Sequence, residues 1–145
     1  MSGSTVAAGV FSAINTVIWL VVLGWGVYIG KEIGYTVAIQ QIIDTPLYLW
    51  TTLCIGVLIM ILAAAGAAEE DDSSTKDDSA YALRVMCAVV AAAFVGCRAF
   101  HLFKFNALRN NIKLWYTYLS YRENIIIRGN EVLPVVCLGL ALGSV

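Results

Sequence analysis

The first 30 residues carry no charged side chain, and neither do residues 45–68. An α-helix needs about 20 consecutive apolar residues to cross about 30 Å of hydrocarbon. Each run exceeds that length, so each is read as a transmembrane helix. No basic residue precedes the first run, and its apolar part is longer than the core of a cleavable secretion signal, so it is read as part of the mature chain. Composition agrees: 60% of the 145 residues are hydrophobic and 13% are charged, with a mean hydropathy of +0.80. A water-soluble globule of this length would lack the polar residues to cover itself.

A third span is expected over about 79–104. Its uncharged centre, Val85 to Cys97, is short, but Arg84 and Arg98 flank it with stems long enough to lift their heads to the two interfaces. From Leu133 to Val145 a further apolar stretch, LPVVCLGLALGSV, is too short to cross, so it reads as a half-span or as the start of a fourth. Pro134 suits the first turn of such a helix. Over 105–121, Leu108, Ile112, Trp115 and Leu119 recur at helical spacing among basic and tyrosine residues. That pattern predicts a basic amphipathic helix lying in the interface, with Arg109, Lys113, Trp115, Tyr116 and Tyr118 against lipid. The expected fold is therefore all-α: a single polytopic membrane domain, residues 1–145, with spans at about 5–30, 46–68 and 79–104. The interfacial helix and the hydrophobic segment 133–145 complete it.

The loop between the second and third spans holds Glu69, Glu70, Asp71, Asp72, Asp77 and Asp78 against Lys76 alone, whereas Arg98, Lys104, Arg109, Lys113, Arg122 and Arg128 follow the third span. Lysine and arginine near span ends face the cytoplasm or its equivalent. The basic segment 98–128 is accordingly placed on the cytoplasmic, matrix or stromal side, and the N-terminus and acidic loop 69–83 outside. The acidic run lacks the alternating register of a calcium loop and reads as a solvated connector.

Packing signals are clearer than chemical ones. Gly26, Gly30 and Gly34 in the first span, and Ala88, Ala92 and Gly96 in the third, place small residues four apart, where helix backbones can approach closely. These are the expected helix-packing faces. Catalytic signals are absent: no Walker loop, nucleophile elbow, zinc-protease or dinucleotide motif occurs, and the one histidine cannot build a bis-histidine haem or histidine-rich zinc site. Cys54, Cys87, Cys97 and Cys137 lie in apolar segments and read as small hydrophobes. No carboxylate falls inside a predicted span, so no proton or cation path is expected within the chain. Arg98, His101 and Lys104, three apart, read first as an interfacial anchor.

The stretches VYIGKEIG at 27–34, the span after Trp50, the acidic loop and CRAFHLFKFNALR at 97–109 together resemble the second, third and fourth helices of the voltage-sensor-like domain in polycystin-type (transient-receptor-potential) channels. The resemblance covers residues 14–115 and implies a sensor-like helical domain, with His101 and Lys104 matching the basic pair of that family's fourth helix. Trp50 is followed by Thr51, Thr52, Leu53 and Cys54 where the family carries an acidic residue, and no pore helix or filter is recognisable.

Function is expected to be that of a non-catalytic membrane subunit within a larger complex of respiratory, photosynthetic or ATP-synthase type. The alternatives are a sensor-like channel module, with Arg98, His101 and Lys104 as its charged face, and a small viral membrane protein. The expected partners are other membrane subunits and lipids, including anionic headgroups. No cofactor, metal or nucleic acid is expected.

Overall fold

A computed structural model describes residues 3–33, 46–108 and 130–144, side chains at 29–33, 46 and 104–108 excepted. It contains helices α1 (Gly3–Ile33), α2 (Pro46–Asp71) and α3 (Asp78–Leu108), then a 3-10 turn (Asn130–Val132) leading into the short helix α4 (Leu133–Gly143). There is no strand among the described residues. Three stretches, Gly3–Tyr28, Leu47–Asp71 and Asp78–Phe103, are long and apolar enough to cross a membrane. The chain is thus a multi-pass integral membrane protein. In lipid every backbone polar group must be satisfied internally, and helices do this within one segment. Of the expected interfacial helix over 105–121, residues 105–108 continue α3 and residues 109–121, with Arg109, Lys113, Trp115, Tyr116 and Tyr118, lie outside the described residues, as does Gly34.

The helix ends follow local chemistry. Pro46 opens α2, where a missing N–H costs nothing. Asp77 caps α3: its carboxylate accepts from Ser79 N at 2.9 Å and Ala80 N at 3.4 Å, and Asp78 adds negative charge to the first turn. Between the two helices Asp77 N donates to Glu70 Oε1 at 2.7 Å, which fixes the turn. Lys76 bonds Asp71 at 2.9 Å and lies 4.5 Å from the centre of the Tyr81 ring. The hydrogen bond to Asp71, with its charge and that of Asp78, keeps the Lys76 ammonium protonated above the usual lysine range.

Packing closes a four-membered ring in which α2 and α4 each lie against both α1 and α3. Each helix turns one stripe inward: Thr5, Ala8, Ser12, Asn15, Val22 and Gly26 on α1, and Leu49, Thr52, Gly56, Ile59 and Ala63 on α2. On α3 the buried positions are Arg84, Cys87, Ala91, Phe94, Arg98 and His101. Hydroxyls on these stripes bond back into their own helices, Ser12 to Ala8 O and Thr52 to Tyr48 O, both at 2.8 Å. The middle is dry, formed by Ala8, Ile59, Ala63, Cys87, Ala91, Cys137 and Ala141. There the Cys87 and Cys137 thiols each point at the other's carbonyl, at 3.5 and 3.7 Å, and all four cysteines are free.

The small-residue face expected on α3 does not turn into the bundle. Ala88 is half-buried, while Ala92 and Gly96 face outward, and a Cβ added at Gly96 would meet nothing within 4 Å. An all-apolar helix offers small residues on more than one side, so spacing alone does not choose the inward one. The two arginines choose it, because neither can be left unpaired against lipid. In α1 Gly26 is buried, while the surroundings of Gly30, and Gly34 itself, lie outside what is described. The closest backbone approaches lie elsewhere, at Gly66 and Gly56. A Cβ on Gly66 would fall 2.3 Å from Thr5 Oγ1, and one on Gly56 2.7 Å from the Phe94 ring.

Candidate functional site: two arginine clamps on a half-length helix

Arg98 does not snorkel. Its side chain is wholly buried and its Nη2 donates to Glu131 Oε1, while Tyr48 donates its hydroxyl to Glu131 Oε2. The guanidinium lies 5.3 Å from the centre of the Tyr48 ring and 5.2 Å from that of Phe94, so one carboxylate and two aromatic rings share its charge. Asn130 Nδ2 reaches Phe94 O at 3.4 Å, which binds the turn before α4 to α3 a second time. His101 is also buried rather than set at an interface, and the Lys104 backbone continues α3. The expected charged triplet is therefore divided, with two of its members inside the bundle.

The second clamp is built on Arg84, which was expected at an interface and is 5% exposed. Its Nη1 donates to Gly66 O at 3.0 Å and lies 3.3 Å from Glu70 Oε2, and its Nη2 reaches Ser144 O at 3.5 Å. Ser4 Oγ donates to Glu69 at 2.9 Å nearby, so the starts of α1 and α3 and the ends of α2 and α4 meet at one level. This level is the loop end; the Arg98 clamp lies toward the far end.

The two clamps share one geometry. Arg84 and Arg98 are 14 residues apart on α3, about 21 Å at 1.5 Å per residue. Glu131 and Ser144 are 13 apart on the segment running the other way, about 20 Å. The short helix thus spans the interval between two buried cations, presenting a carboxylate to one and its terminal carbonyl to the other. Both contacts also suit the α4 macrodipole, with an acid at the N-terminus and a cation at the C-terminus. Each arginine lies about 8–9 Å inside the end of its span, Arg98 five residues before Phe103 and Arg84 six after Asp78.

Glu131 lies outside every predicted span, yet the turn before α4 carries it into the bundle against Arg98. Glu131 counts in the sequence as one acid of a polar linker, and nothing local marks it as the partner of Arg98, 33 residues earlier. The available signal was the length of the C-terminal apolar segment against the spacing of the arginines. Asn15, in the middle of α1, is 3% exposed, and both its amide atoms lack a hydrogen-bond partner among the described residues. Chemically, the clamps hold charge in place. Among the described residues no group of three or more metal-ligating side chains forms. No protein-family model, curated protein or solved structure matches this chain.

Proposed function

We propose that the chain is a non-catalytic integral-membrane subunit that docks a transmembrane helix of a larger assembly along the outward side of α2 and α3. One observation carries this reading: a groove lined mainly by alanines lies open on the outward side between α2 and α3. Large apolar side chains are exposed on all three long helices, Val17 and Val21 on α1, Ile61 on α2 and Val89 on α3 among them. The α2–α3 side presents Ala64, Ala68, Ala92, Ala93 and Gly96, with an open groove of about 470 Å³ between the helices near the loop end. Bulky apolar residues suit fluid acyl chains, whereas small ones let a second helix backbone come close, which is how helices associate where water supplies no drive.

The paired arginines support a fixed bundle. Arg98 and Arg84 each hold a partner already, which weighs against a charged face free to slide in a voltage field. In this reading the basic segment 98–128 lies on the cytoplasmic, matrix or stromal side, and Arg109, Lys113, Trp115, Tyr116 and Tyr118 contact lipid headgroups or a neighbouring subunit.

Purification in mild detergent tests the proposal. The parent chain and a Val17→Trp control on α1 are expected to co-migrate with partner subunits at fixed stoichiometry, and an Ala68→Trp/Ala92→Trp variant is expected to run alone while keeping its helical signal. A stable isolated parent monomer, or a groove variant that retains its partners, would overturn the reading.

A further inference from the structure

The α2–α3 groove is not symmetric along its length, and its asymmetry bears on what can fill it. Toward the far end it is walled by Ala88 and Ala92; toward the loop end it opens between Asp71 and Tyr81. Its mouth stands in the most acidic region of the chain. Glu69, Glu70, Asp71, Asp72, Asp77 and Asp78 gather there against Lys76 and the buried Arg84, which leaves four negative charges uncancelled. Lys76 is engaged by Asp71 and Arg84 by Glu70, so neither cation is free for an incoming group. Within about 8 Å, the screening length at physiological salt, those carboxylates act on anything that emerges from the groove.

Resting on the proposed docking role, we infer that the groove takes a helix of a different polypeptide, one that carries lysine or arginine where it leaves the membrane at the loop end. A second copy of this chain is disfavoured by charge. Copies inserted the same way up would bring two sets of six carboxylates to one level, and like charges facing each other across an interface suppress that pairing. An anionic lipid meets the same net negative charge at the mouth. A basic flank on a foreign helix instead meets complementary charge at the mouth, while its apolar body lies along alanines with Val85 and Val89 among them.

Two synthetic alanine–leucine helices of about 22 residues, identical but for two lysines or two glutamates at each end, serve as probes. They are mixed with the full chain in phosphatidylcholine vesicles, and association is read by energy transfer. The lysine-flanked helix is expected to bind about ten-fold tighter, and the preference is expected to collapse in 1 M salt and in an Asp71→Asn/Asp72→Asn variant. Equal binding of both probes would overturn the charge inference while leaving helix docking intact. Failure of both to bind would overturn the docking role with it. Self-association of the chain in preference to either probe, or displacement of the lysine probe by phosphatidylglycerol introduced at constant total lipid, would also overturn the inference.

Discussion

Glu131→Gln isolates the energetics on which the bundle depends. The substitution keeps the shape of the side chain and an oxygen able to accept from Tyr48, but removes the only carboxylate that contacts Arg98 among the described residues. Breaking a buried ion pair from one side costs about 3–5 kcal/mol, since the remaining charge stays desolvated. The retained neutral hydrogen bond returns about 1 kcal/mol. The expected loss is therefore about 3 kcal/mol, roughly two powers of ten in the unfolding constant. Equilibrium unfolding in mixed micelles, followed by helical circular dichroism, measures it. Arg98→Met and the double substitution complete a cycle whose coupling is expected at about 2 kcal/mol or more, the double variant being far less damaged than the two losses added together. A Glu131→Gln protein within about 0.5 kcal/mol of its parent, with no coupling to Arg98, would refute the inner clamp: Arg98 would then be satisfied by some other group.

Four further outcomes follow from the geometry. Gly56→Ala pushes a methyl into the Phe94 ring and is expected to cost about 1–3 kcal/mol, while Gly96→Ala meets open space and is expected to gain about 0.5–1 kcal/mol, both read by the same unfolding assay. Arg84→Met frees the last turn of α4, so amide exchange at Leu142 and Gly143 should accelerate while exchange near Glu131 changes little. Tyr48→Phe keeps the ring over Arg98 and loses a hydrogen bond to a carboxylate, a destabilisation of about 1.5–3 kcal/mol by denaturant titration. Asn15→Leu removes a buried amide with no partner among the described residues; the melting temperature should hold or rise, and a fall of several degrees would show that the amide is engaged in the folded protein.

The spans were legible because charge is excluded from hydrocarbon so strongly that its absence over 20 residues is a signal by itself. Which way each span turns was not, because on helices apolar all round hydropathy carries almost no directional information. A finer trace existed in α1, where Thr5, Ser12 and Asn15 share the inward stripe with Ala8: in a membrane it is the small and polar positions that mark the interior. The clamps escaped the sequence for a different reason. Arg98 and Glu131 are distant in sequence and unremarkable in their own neighbourhoods, and only the antiparallel return of the C-terminal segment brings them together. Snorkelling was the local solution for both arginines, and it was overridden by partners that no local rule could supply.

The agreement between the arginine interval on α3 and the length of α4 makes one helix a gauge for the other. Adding a single residue within Leu138–Ala141 would advance the final carbonyl by about 1.5 Å and swing it by roughly 100°, so that if the N-terminal grip held, the C-terminal one would miss. Length variation in this chain should therefore be refused within α4, where the tally of residues is calibrated against two fixed points.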